Sequence, residues 1–324
     1  LLGQTVNHYR FEHGASVSVG GVVQPQKGRT YKGSHHRDAL AGTNVTTFAD
    51  LLHRIHEEVP GIRRLRFVTS YPRDFGNDVL EVMRDSERIC RYLHVPAQSG
   101  SDSVLKRMNR GYSVSEYLEF VDRARSFLDA PEKGRPLMVS GDIIVGFPGE
   151  TDEDFAGTVE LVRRSRYKNC FIFKYSPRPG TVAFDRIPDD VDEAVKRRRN
   201  NELLAIQGEI SGEICREQVG REFDVMVEGL SKRSKKRAGM SHGQMRAAKA
   251  IAVTVGGRTV GGGVGTDVAD EGPVESLQLS GRTDGDQIVF FDVPEGASAG
   301  DYVGRIVPVR VVEAVGMSLH GELV

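Results

Sequence analysis

The sequence has no tryptophan and only three cysteines among 324 residues. Cys90, Cys170 and Cys215 lie far apart, which excludes a disulfide framework and any zinc or iron–sulfur site built from local sequence. Cys170 falls in an apolar run and reads as a buried free thiol, and a reducing, cytoplasmic compartment is expected. No apolar run approaches the roughly 20 residues that a membrane-spanning helix needs. Neither sign of charge is in excess: 44 Lys and Arg against 45 Asp and Glu leave a net charge of −1. Any nucleic-acid contact must therefore come from local patches and not from the global field. There is no initiator Met and no signal- or transit-type segment. Leu1-Leu2-Gly3-Gln4 reads as the end of a strand and its turn, so the chain is expected to begin inside a domain. The length suits two domains of ordinary size.

What is present is alternation, arranged around Gly141–Thr151, G-D-I-I-V-G-F-P-G-E-T. Asp142–Val145 is an apolar strand, Gly146, Pro148 and Gly149 break it, and Thr151 with Asp154 opens a helix. Such a βα unit either is plain scaffold or places a ligand at the carboxyl end of the strand. Before it, Glu12–Thr43 reads as a long loop whose His35-His36 pair is solvated rather than metal-binding. Phe48, Leu51, Leu52, Ile55 and Val59 recur at helical spacing until Pro60-Gly61. Strands are expected at Leu65–Ser70, Tyr92–Val95, within Pro136–Val145 and at Asn169–Tyr175, with helices around Val79–Met83, from Ser113 and over Asp152–Ser165. Ser113 and Glu116 form a capping box. Counting the remnant at the start gives five strands, alternating with helices as a parallel sheet with crossovers does, either a barrel or an open sheet.

Asp192–Glu217 reads as one long helix whose Arg197–Arg199 cluster suits a solvated face. Beyond Gly220 the chain turns to short β-rich runs, at Phe223–Val227, Gln287–Phe291 and Val307–Val312, expected to close a small all-β barrel. Ser231–Glu275 reads as a flexible insertion in it. Lys232, Arg233, Lys235, Lys236 and Arg237 crowd its start, a basic run able to contact RNA phosphates or simply to solubilise a loop.

Several stretches together resemble one family. L-L-G-Q-T-V-N-H-Y (Leu1–Tyr9), L-H-V-P-A-Q-S-G-S (Leu93–Ser101), L-K-R-M-N-R-G-Y (Leu105–Tyr112), D-I-I-V-G-F-P-G-E-T-D-E-D-F (Asp142–Phe155) and Y-S-P-R-P-G-T (Tyr175–Thr181) are similar to the radical S-adenosylmethionine methylthiotransferases. Q-L-S-G-R-T (Gln278–Thr283) resembles the signature of the small RNA-binding TRAM barrel that ends those enzymes. The match is closest to the tRNA branch making 2-methylthio-N6-isopentenyladenosine beside the anticodon. Thr5 departs from that branch's G-Q-N-V-N.

The resemblance implies a partial parallel (β/α) barrel over residues 1–217, lacking its first strand and cluster loop, and a TRAM domain over 218–324 with its insertion at about 231–275. It implies a transferase that uses S-adenosylmethionine and two four-iron–four-sulfur clusters to put a methylthio group on C2 of the modified adenine. The partners implied are the tRNA anticodon stem-loop, an electron donor and a sulfur donor. The cluster cysteines, C-x-x-x-C-x-x-C and three more upstream, are not in this sequence, and Cys90, Cys170 and Cys215 have the wrong spacing to replace them. The chain as given is therefore expected to be inactive and to have no catalytic residue of its own. The resemblance assigns S-adenosylmethionine positioning to Gly3, Gln4, Gln98, Ser99, Arg110, Ile144, Gly146, Tyr175 and Ser176. It assigns RNA contact to Arg282 first and to the Lys232–Arg237 cluster second. The alternatives are a methylthiotransferase acting on threonylcarbamoyl-adenosine or on ribosomal protein S12, and a non-catalytic RNA-binding protein.

Overall fold

The structure is a computed structural model and describes residues 1–3, 5–12, 18–19, 22–23, 45–68, 70–237, 253–255, 258–260 and 277–324. Gln4, the His35-His36 pair, nearly all of the Glu12–Thr43 stretch and much of Ser231–Glu275 lie outside the described residues. The chain divides into two units, Leu1–Ile214 and Cys215–Val324.

The first unit begins with two short antiparallel ladders, β1 (Arg10–Glu12) and β2 (Ser18–Val19) pairing with β4 (Val45–Thr47) and β3 (Val22–Val23) respectively. Helix α1 (Phe48–Glu58) starts at a capping box in which Thr47 and Asp50 exchange bonds, as the polar residue before an apolar period requires. Helix α2 (Asn77–Asp85) precedes β5 (Tyr92–His94), and α3 (Asp102–Arg107) and α4 (Val114–Leu128) follow it. Then come β6 (Met138–Val145), α5 (Asp152–Ser165), β7 (Asn169–Lys174), α6 (Val182–Arg186) and the long α7 (Glu193–Arg216). Both expected capping boxes form, Ser113 with Glu116 and Thr151 with Asp154.

Strands β5, β6 and β7 make a parallel sheet with β6 in the middle. The strand expected at Leu65–Ser70 is reduced to a single parallel bridge between Leu65 and Ile89. Arg88 and Cys90 bracket Leu65 with two backbone bonds, and the Ser70 N–H rejoins only at the His94 carbonyl, 2.9 Å away. Leu1 and Leu2 are likewise coil and exposed.

One face of the sheet is sealed. Val139, Ile143 and Val145 are at most 2% exposed and share a core with Tyr117, Phe120 and Phe155 of α4 and α5. Tyr117 and Tyr167 bond through their hydroxyls at 2.7 Å, and Tyr117 also donates to the Val95 carbonyl. The segment after β5 meets α5 backbone to backbone: a Cβ on Gly100 would lie 2.3 Å from the Gly157 carbonyl oxygen. Only glycine admits that approach. Leu203, Ile210 and Ile214 of α7 complete the core.

In the second unit, β8 (Glu222–Leu230) runs into α8 (Lys232–Arg237), and β9 (Val253–Val255) pairs with β10 (Arg258–Val260). The stretch read as one flexible insertion thus contains a helix and a hairpin. Strands β11 (Gln278–Arg282), β12 (Ile288–Asp292), β13 (Ile306–Val315) and β14 (Ser318–Leu323) join β8 in a closed barrel of order β11-β12-β14-β13-β8. Alternate residues Phe223, Val225 and Val227 turn inward onto Leu279, Val289 and Leu319, the period-2 pattern of a small barrel. Among the described residues no helix is long and apolar enough to cross a membrane.

Candidate functional site

The β6–α5 turn depends on two glycines in the left-handed region, Gly146 at φ 70° and Gly149 at φ 76°. The turn is pinned from inside. Glu150, its side chain 1% exposed, accepts from the Gly146 N–H at 2.9 Å and from the Arg199 guanidinium at 2.8 Å. Burial raises the Glu150 carboxyl above its ordinary range, against the pull of the Gly146 N–H and Arg199. Arg199 also donates to the Glu150 carbonyl and to Asp152. Beside it, buried Lys196 pairs with Asp189 at 2.6 Å and lies 5.4 Å from the Tyr175 ring centroid, while the Gly149 N–H donates to Asp190. The solvated face read for Arg197–Arg199 holds for Arg197 and Arg198, which are exposed. It fails for Arg199, which is buried because α7 packs against this turn.

The segment after β5 supplies the neighbouring wall. Gln98 takes φ 72°, unusual for a residue with a side chain. Its N–H donates to the Asp142 carbonyl at 2.8 Å and its carbonyl accepts from Ile144 at 2.9 Å, so both its backbone groups belong to β6. Ser99 is 1% exposed and its hydroxyl accepts from the Ser101 N–H, while the Gly100 N–H reaches Thr158 of α5. Ser101 and Ser103 both donate to Asp154. Burial alone would raise the Asp154 carboxyl; these bonds, the Thr151 N–H and Arg107 at 3.6 Å outweigh it and hold the group at about 2.

Gln98, Ile144, Gly146 and Tyr175 thus gather at the carboxyl edge of the sheet. The last ladder bond runs from the Tyr175 N–H to the Val145 carbonyl, and Ser176 beyond it is exposed. Ser99 is committed to α5. Gly3 is exposed, and a Cβ there would meet the Val6 side chain at 3.1 Å. Arg110 follows α3, partly exposed, and its guanidinium makes no hydrogen bond or ion pair among the described residues. Two clefts, of about 400 Å³ between α5 and α7 and about 610 Å³ between α1 and α2, contain none of the predicted site residues.

The second face of the sheet is buried at Tyr92, Met138 and Ser140 and open at Phe171 and Phe173. Register puts Tyr92, His94, Ser140, Asp142, Ile144, Phe171 and Phe173 on one side. Tyr92 and Ser140 bond through their hydroxyls at 2.7 Å, and His94 Nε2 lies 3.2 Å from Asp142 Oδ1. Apart from Ile144, this face was not singled out in the sequence, nor were Glu150 and Lys196, and Arg199 was read only as part of a solvated cluster. The alternating aromatics of Phe171-Ile172-Phe173 were a visible signal for the open face, whereas the charged partner of Glu150 lies 49 residues away on α7.

In the barrel, Arg282 bonds to Glu228 at 3.1 Å and to Asp286 at 3.0 Å, so its charge is balanced within the protein. Lys232, Arg233 and Lys236 of α8 are exposed, Lys235 half-buried, and Arg237 ends the helix. Phe290 and His320 face each other across β12 and β14, ring centroids 5.4 Å apart.

The thiols present do not fit an iron–sulfur cluster. Cys90 and Cys215 are buried, and burial, with the Asp142 charge, pushes the Cys170 thiol up, away from the thiolate a ligand needs. Among the described residues no group of three or more His, Cys, Asp or Glu is placed to hold a metal ion.

Residues 32–162 match the model of the Radical SAM superfamily. It is similar over nearly its whole length to proteins named tRNA-2-methylthio-N(6)-dimethylallyladenosine synthase. The one from Rhodopirellula baltica is 45% identical over 99% of this chain and 55% of its own length. The one from Thermoanaerobacter sp. is 44% identical over 86% and 48%, and that from Phocaeicola vulgatus 34% over 99% and 53%. The chain spans about half the length of the curated relatives it matches. Among solved structures, coproporphyrinogen III oxidase from Escherichia coli, a radical SAM enzyme, is 21% identical over 45% of this chain and 32% of its own, with a TM-score of 0.37.

Proposed function

We propose that the chain is the substrate- and cofactor-positioning part of a cytoplasmic tRNA methylthiotransferase that modifies C2 of N6-dimethylallyladenosine beside the anticodon. The observation that carries this reading is the 45% identity to a synthase of that name across 99% of the chain. The first unit is the radical SAM core and the barrel a TRAM domain that grips the anticodon stem-loop. When bound, S-adenosylmethionine and its cluster supply the radical that removes hydrogen from C2, while sulfur and electron donors complete the reaction. No step is assigned to a cluster on this chain, because its three cysteines do not suit one.

The residues at the sheet edge suit an adenosyl group. Ile144 offers a half-buried apolar contact, and the backbone past Tyr175 leaves the ladder with its groups free to read a base edge. Gln98 is held in an αL backbone by two β6 bonds, a constraint that fixes where its amide can reach. The buried Glu150–Arg199 pair keeps the Gly146 turn in one shape, which pre-organises the wall. The exposed cations of α8 add phosphate contacts whose strength falls with salt.

Nucleoside mass spectrometry of tRNA from a strain lacking the full gene tests the substrate. Loss of the 2-methylthio form with accumulation of N6-dimethylallyladenosine is expected; an unchanged 2-methylthio level overturns the reading. Iron–sulfur reconstitution of the chain itself should yield no stoichiometric cluster by absorbance and iron analysis.

A further inference from the structure

Resting on that reading, we infer that the open face of the parallel sheet selects the substrate by the group on its adenine N6. Phe171 and Phe173 form a ledge for an apolar tail, and the carboxylate of Asp142, oriented by His94, accepts the N6–H beside it.

The register places Asp142 next to Phe171 and Ile144 next to Phe173, on strands that run about 4.8 Å apart. Carboxylate, aliphatic side chain and two rings therefore share one continuous patch. Parallel sheets are normally covered on both faces. Here the other face is sealed, while Phe171 and Phe173 are 52% and 55% exposed. The polar half is built as well. His94 Nε2 lies 3.2 Å from Asp142 Oδ1, its ring sits edge-on to Phe171 with centroids 6.5 Å apart, and its Nδ1 is buried without a partner among the described residues. The Asp142 side chain keeps 25% of its surface, and a carboxylate with one bond made retains acceptor capacity.

A secondary amine bearing a short branched hydrocarbon matches both halves: one N–H for the carboxylate and an apolar tail for the rings. Unsubstituted adenine leaves the ledge uncovered. A tail that carries its own carboxylate, as threonylcarbamoyl does, meets the Asp142 charge and loses water against the phenylalanines. Selection thus combines an attractive surface with a repulsive one.

The test uses the whole chain and three labelled anticodon stem-loop RNAs, identical except for adenosine, N6-dimethylallyladenosine or N6-threonylcarbamoyladenosine at one position, read by fluorescence anisotropy. Wild type should bind the dimethylallyl RNA about tenfold or more tighter than the unmodified one. The Phe171→Ala/Phe173→Ala pair should bring that ratio to within about twofold, while Phe171→Leu/Phe173→Leu keeps most of it, since Leu restores apolar area. Asp142→Asn should raise the relative affinity for the threonylcarbamoyl RNA by about threefold or more, as removal of a like charge predicts. Both rings are more than half exposed, and melting curves verify that the variants fold. Equal binding of all three RNAs by wild type, or a ratio that survives loss of both rings, overturns the inference and leaves the tRNA reading standing. No binding of any stem-loop overturns the tRNA reading and the inference with it.

Discussion

The two faces of the β5-β6-β7 sheet are made by the same strands and have opposite fates. On one, Val139, Ile143 and Val145 vanish under α4 and α5, and Gly141 makes room for the Tyr167 ring, which a Cβ there would approach to 3.0 Å. On the other, His94 and Asp142 sit beside two phenylalanines that expose more than half their surface. Removing apolar area from water stabilises the fold across the first face, and on the second at Tyr92 and Met138, which are 8% and 4% exposed. The two exposed rings contribute little to folding and are therefore free to carry recognition. The carboxyl rim where the faces meet is a third case: its turn is fixed by buried charge, at Glu150 and Arg199.

The largest effect should come at that rim. Arg199→Ala leaves the Glu150 carboxylate buried without its partner and should cost about 3–5 kcal/mol in urea unfolding. Arg199→Lys should recover only part of this, because a point charge cannot bridge Glu150 and Asp152 as the planar fork does. A wild-type-like midpoint for Arg199→Ala would mean that the rim is solvated after all.

On the sealed face, Ile143→Ala should cost about 2–5 kcal/mol through lost burial and the cavity left behind. Its counterpart on the open face, Phe173→Ala, removes more atoms, yet should stay within about 0.5 kcal/mol of wild type. Equal losses at the two positions would erase the contrast between the faces.

Asp154 sharpens the comparison through pH. Its carboxyl is held at about 2, so the folded state favours its charged form, and the stability this gives is fully present above about pH 4 and lost as pH falls toward 2. Asp154→Asn removes that increment. The gap in unfolding midpoint between wild type and variant should be widest above pH 4 and shrink toward pH 2. A gap independent of pH would show that the serine contacts, and not the charge, account for it.

Much of the fold was legible. The capping boxes at Ser113 and Thr151 were readable because both partners lie within four residues, and the strands at Tyr92, Met138 and Asn169 because their apolar runs end in glycine or proline. The expected strand at Leu65–Ser70 was not borne out, since a ladder needs a neighbour in register and the two backbones meet at one bridge only. The site residues were proposed from family motifs, and the structure brings Gln98, Ile144, Gly146 and Tyr175 to one edge while tying Ser99 to α5. Arg282 was assigned to RNA contact by the resemblance, and Glu228, 54 residues away, bonds to it in the barrel.

By itself, the sequence determined the local elements, the parallel alternation, the small terminal barrel and the likeness to the methylthiotransferases, because each is written in spacing or in contiguous motifs. Tertiary structure alone decided which cations are buried, which face of the sheet stays open, and that His94 meets Asp142 across 48 residues. The physical reason is that burial and pairing belong to neighbours in space. A residue's own neighbours in sequence record its helix or strand, but not the charge or ring that will lie beside it.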